Sequence, residues 1–92
     1  MTRYVRRVDL NHAEIVREMR EAGLFVIDLS RVGNGVPDLL VSSSDEMWLV
    51  EIKSPKGKMH EAQRQWHENW RGKKPLIIRQ LEEFLLATRK KP

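Results

Sequence analysis

Two apolar runs constrain this chain most, because each carries charge where the centre of a sheet ordinarily has none. The first is Gly35-Val36-Pro37-Asp38-Leu39-Leu40-Val41 and opens on Pro-Asp. The second is Trp48-Leu49-Val50-Glu51-Ile52-Lys53 and carries an acid and a base two residues apart. Strand side chains alternate faces, so Glu51 and Lys53 point the same way. Buried charges are costly unless they pair or hold a cation. A strand hairpin built from these runs sets Asp38 at the start of one arm and Glu51 near the end of the other. In an antiparallel pair those ends meet, and the two carboxylates converge.

The elements around the hairpin follow from capping, period and turn residues. Residues 1–10 read as a basic arm with Arg3, Arg6 and Arg7. Asn11 with Glu14 fits a capping box. A helix then runs through Ile15, Val16, Met19 and Ala22 to a stop at Gly23. Leu24–Leu29 is β-branched and aromatic, hence a strand. The Val32-Gly33-Asn34-Gly35 loop has glycines suited to positive φ and close backbone approach. The hairpin strands are 38–42 and 47–53. Ser54–Lys58 breaks the pattern, and a helix covers 59–71 with Met59, Ala62, Trp66 and Trp70 as a buried stripe that includes Gln63. A glutamine on such a stripe needs a polar partner. Pro75–Arg79 is a last strand, 82–87 a closing helix. The order α-β-β-β-α-β-α, with a helix between the last two strands, predicts a mixed sheet flanked by helices.

Ninety-two residues suit one domain, and a domain this small gains from dimerisation. Without cysteine, disulfides and thiolate metal sites are excluded. No apolar run has the roughly 18 residues a membrane span needs, and the basic N-terminus has no apolar signal core, so a cytoplasmic protein is expected. A net charge of +4 favours a polyanionic partner, although a solvated surface gives the same balance. His12, His60 and His67 lack ligand spacing, so zinc is not expected. Trp48, Trp66 and Trp70 read as core rather than as base-stacking platforms.

Asp38 and Glu51 are hard oxygen ligands suited to Mg²⁺ or Mn²⁺, with the Ile52 backbone carbonyl as a third donor. Lys53 beside them suits the orientation or deprotonation of a water attacking a phosphodiester. The competing reading is a plain Glu51–Lys53 ion pair on a half-exposed strand. The order P-D, then E-x-K, resembles the PD-(D/E)xK nuclease superfamily. Gly35-Val36-Pro37-Asp38-Leu39-Leu40-Val41, Val50-Glu51-Ile52-Lys53, Lys58-Met59-x-x-x-Gln63-x-x-Trp66 and Trp70-x-Gly72 together resemble its VRR-NUC family, the virus-type replication-repair nucleases. The likeness spans about residues 11–79. The helix start Met59-His60-Glu61-Ala62 departs from the family's usual pattern.

The resemblance implies a restriction-endonuclease-like αβββαβ core plus a C-terminal helix. It implies Asp38 and Glu51 as metal ligands, Lys53 as the catalytic lysine, Gln63 as an active-site polar group, and Glu14 as the first-helix acid. Glu14 competes with Glu18 and with a role as a cap. Small stand-alone phage and bacterial members of the family are homodimers acting on four-way DNA junctions. The expected activity is therefore a Mg²⁺- or Mn²⁺-dependent DNA endonuclease, with Arg31, Lys56 and Lys58 as phosphate contacts. A nuclease of another DNA specificity (flap, nick or duplex) and a non-catalytic DNA-binding module are the alternatives.

Overall fold

The alternating apolar runs form four strands in one sheet, and the computed structural model describes residues 7–89. The elements in chain order are α1 (Arg7–Glu21), β1 (Phe25–Asp28), β2 (Leu39–Ser42), β3 (Met47–Ile52), α2 (Glu61–Asn69), β4 (Leu76–Ile78) and α3 (Leu81–Thr88). The sheet order is β1-β2-β3-β4. β1–β2 and β2–β3 are antiparallel, while β3–β4 is parallel because α2 carries the chain across between them. The mixed sheet and the element order are those expected from the sequence.

Side-chain period sorts the sheet into two unlike faces. Val26, Leu39, Val41, Trp48, Val50, Ile52 and Ile78 form a buried core with Ile15, Val16 and Met19 of α1 and Phe84 of α3. Trp48 meets Phe84 edge-on at 5.3 Å between ring centroids. Each such side chain contributes roughly 1.5–3 kcal/mol by leaving water. The opposite face carries Phe25, Ile27, Met47 and Ile77, all exposed, together with Glu51.

Two expectations need correction. α1 begins at Arg7, so Asn11 lies inside the helix and cannot cap it; its side chain instead donates to the Arg79 carbonyl at 3.3 Å. The helix thus takes in the last residues of the expected arm, and Arg3 and Arg6 lie outside the described residues. The stop at Gly23 is as expected: φ is +90°, and Leu24 N–H bonds the Met19 carbonyl while Gly23 N–H bonds that of Arg20, the paired bonds of a Schellman end. α2 is the second correction. It buries no side chain, Met59 precedes it, and Trp70 follows it at 40 % exposure. Trp66 and Trp70 stack on each other at 4.6 Å instead of entering the core. The side of α2 facing the sheet is given over to Gln63 and its polar partners.

Candidate active site

Register brings the acids together. Leu39 stands opposite Val50, and one further step of that ladder sets Asp38 opposite Glu51. A second step sets Pro37, fully buried, opposite Ile52. Proline has no N–H, so it cannot occupy the Ile52 carbonyl as a ladder partner would. The Ile52 N–H is taken by Asp38, whose Oδ2 accepts it at 2.9 Å. The Pro-Asp pair thus ends the ladder and fixes a carboxylate beside the Ile52 backbone.

Glu51 is 1 % exposed and Lys53 8 %. Both lie on the sheet face opposite the apolar core and meet Gln63 of α2. Gln63 Nε2 donates to Glu51 Oε2 at 2.9 Å, and Gln63 Oε1 accepts from Lys53 Nζ at 2.6 Å and from the His60 N–H at 2.9 Å. Two donors on one side and an acceptor on the other fix the amide's orientation. Lys53 Nζ also lies 3.6 Å from Glu51 Oε2. The buried-face glutamine therefore has the polar partners its position requires. Gly35, at φ +82°, lets the loop before Pro37 touch the first turn of α2. A Cβ there would stand 2.2 Å from the Ala62 carbonyl oxygen. That contact seats Gln63 over Glu51.

Burial, with the charge of Asp38 nearby, raises the Glu51 carboxyl to about 8, against the opposing pull of Lys53. Glu51 Oε1 is buried with no hydrogen-bond partner among the described residues. An orphaned carboxylate oxygen, a second carboxylate opposite and the neighbouring Ile52 carbonyl are the donor types of a hard divalent cation, which would let both acids ionise. Among the described residues no three His, Asp or Glu side chains converge to hold a metal. Such a cation would rest on two carboxylates, a carbonyl and water.

Asp38, Glu51, Ile52, Lys53 and Gln63 line one cavity of about 360 Å³ at the end of the sheet. Four residues absent from the sequence-derived site line it too: His12, Asp28, Ser30 and His60. Glu14 is exposed on α1 and is not in the lining; α1 reaches the cavity through His12 instead. Arg31, Lys56 and Lys58 are exposed and also outside it. The signal for Asp28 was present: an acid ending β1 with Ser30 two residues on is the pattern of an Asx turn. His12 carried no such mark, because its partner lies across the fold.

A mixed sheet presenting P-D and E-x-K at the meeting ends of a hairpin defines a nuclease of the PD-(D/E)xK type. The VRR-NUC domain pattern matches residues 4–75, and the chain belongs to that family. A solved structure of a VRR-NUC domain superposes with a TM-score of 0.73, covering 94 % of this chain and all of that one at 24 % identity. No curated protein sequence matches the chain. Nucleases of this family typically use divalent metals. No helix among the described residues is long and apolar enough to cross a membrane.

Proposed function

We propose that this chain is a Mg²⁺- or Mn²⁺-dependent endodeoxyribonuclease that acts on branched DNA, four-way junctions foremost, as a homodimer. The observation that carries the reading is the Lys53–Gln63–Glu51 hydrogen-bond chain ending in an unpartnered carboxylate oxygen opposite Asp38. A binding module has no use for a buried lysine held in that way. Asp38, Glu51 and the Ile52 carbonyl would hold the cation, which when bound polarises the scissile phosphate and makes water more acidic. Lys53 orients the attacking water and offsets charge growing on the phosphoryl oxygens. Gln63 fixes Lys53 and Glu51 relative to each other. The cut leaves 5′-phosphate and 3′-hydroxyl ends. Arg31, Lys56 and Lys58 serve as outlying phosphate contacts. Glu14 is left out of this set because it stands outside the cavity.

The homodimer is supported by the uncovered sheet face. Phe25 is 69 % and Met47 62 % exposed, and Trp70 lies beside Leu40, Met47 and Leu49 at a second cavity. A two-fold pair covering that surface would carry two symmetric sites, as paired cuts in a junction require.

The test is cleavage of end-labelled four-way junction, flap, single-stranded and duplex DNA with Mg²⁺, Mn²⁺ or EDTA, beside Lys53→Ala. Metal-dependent cutting of the junction alone, lost in the variant, is the expected result. Cutting of every substrate keeps the nuclease and ends the junction claim. Tight, salt-sensitive binding without cutting returns the binding module.

A further inference from the structure

The cavity has a second flank that the proposed hydrolysis does not use. On β1, Asp28 is fixed by Ser30, whose N–H and hydroxyl both donate to Oδ1, at 2.8 and 2.5 Å. Burial pushes the Asp28 carboxyl up, but these bonds and the neighbouring His12 outweigh it and hold Asp28 below the usual carboxylate range. Its other oxygen, Oδ2, lies 3.3 Å from His12 Nε2 of α1. A carboxylate only accepts, so Nε2 carries the hydrogen and Nδ1 is the ring atom left over, on a residue that lines the cavity. Nδ1 has no hydrogen-bond partner among the described residues.

Sheet order places this pair. Asp28 pairs with Leu39, so it faces the α1 side of the sheet, whereas Glu51 and Lys53 face the α2 side; the two sets meet at the cavity at the sheet's end. In-line displacement at phosphorus puts the entering and leaving oxygens on opposite sides of the phosphate. With water entering from the Lys53 side, the leaving oxygen lies toward the α1 side, where His12 lines the cavity.

Resting on the nuclease reading above, we propose that His12 is the general acid for the leaving 3′-oxygen and Asp28 its positioning residue. The attacking water forms the new P–O bond and loses one proton to solvent on the Lys53 side. The P–O3′ bond breaks, and O3′ takes the electron pair and the Nδ1 proton of the His12 imidazolium. Nε2–H stays on Asp28 throughout, and His12 regains its proton from solvent after the product leaves.

The test replaces the bridging O3′ by sulfur, a leaving group that needs no proton, and compares both DNAs with Mn²⁺. Wild-type protein must cut both; failure on both strikes the nuclease reading itself rather than this proposal. His12→Gln and His12→Ala are expected to slow cutting of ordinary DNA by about 10²-fold or more while cutting the sulfur-bridged DNA at near wild-type rate. That retained rate also certifies the fold. Asp28→Asn is expected to show the same selective loss in kcat, with KM little changed. Lys53→Ala loses both substrates. Equal losses on the two DNAs in both His12 variants, or no loss on either, would overturn the assignment.

Discussion

The two faces of the sheet obey opposite rules, although alternate residues of the same strands supply them. Val50 and Ile52 point into a dry core, whereas Glu51 between them points to a polar site and Met47 and Phe25 to solvent. The inner face stores stability, since its central positions are filled and apolar. The outer face holds a buried carboxyl raised to about 8 and an orphaned oxygen, both of which cost stability. Substitutions on the two faces should therefore part cleanly into those that unfold the protein and those that silence it.

The largest expected stability effect lies on the inner face. Phe84→Ala removes a fully buried ring against Trp48 and should cost about 3–5 kcal/mol in urea unfolding. A loss under 1 kcal/mol would break the division of labour. Gly35→Ala comes next and joins the two faces. Its Cβ cannot coexist with the Ala62 carbonyl, so α2 must shift. We expect roughly 1–3 kcal/mol of destabilisation from the strained backbone, and a fall in cleavage at temperatures where the variant is still folded.

Glu51 gives a prediction with a definite sign. Its carboxyl is raised in the folded state, so the metal-free protein binds its proton more tightly folded than unfolded. Stability from this group is fully present below the unfolded value near 4.5 and is lost as pH rises toward about 8. Glu51→Gln should flatten that decline in thermal melts, and Mn²⁺ should stabilise the wild type increasingly over the same range. A decline as steep in the variant would mean that another group is responsible. The smallest stability effect is expected on the uncovered face: Met47→Lys should move unfolding by within about 0.5 kcal/mol yet shift sedimentation from the proposed dimer to monomer. A wild-type monomer would remove the proposed homodimer, and a variant that stays dimeric would place the interface elsewhere.

The sequence was legible where local rules and tertiary structure agree. Alternation in 38–42 and 47–53 locates the hairpin, the register follows, and Gln63 in an apolar stripe calls for a polar partner. It misled where a pattern had two uses. Trp66 and Trp70 have core spacing, yet they stack on each other because Gln63 and Lys53 occupy the space beneath α2. Asn11 and Glu14 have capping spacing, but helical periodicity continues upstream to Arg7. The His12–Asp28 pair was illegible because two elements far apart in the chain create it.

The seating of α2 has a consequence for when the enzyme is armed. A helix that buries no side chain has little stability of its own. Among its tethers are the Gly35 contact and one glutamine that also organises Lys53 and Glu51. If α2 frays, the lysine loses its acceptor and the glutamate its donor in the same event. Readiness to cut is then the occupancy of a local folding equilibrium, and amide exchange should find α2 opening at a lower free energy than β3. DNA that leans on this helix would switch the site on by keeping it folded.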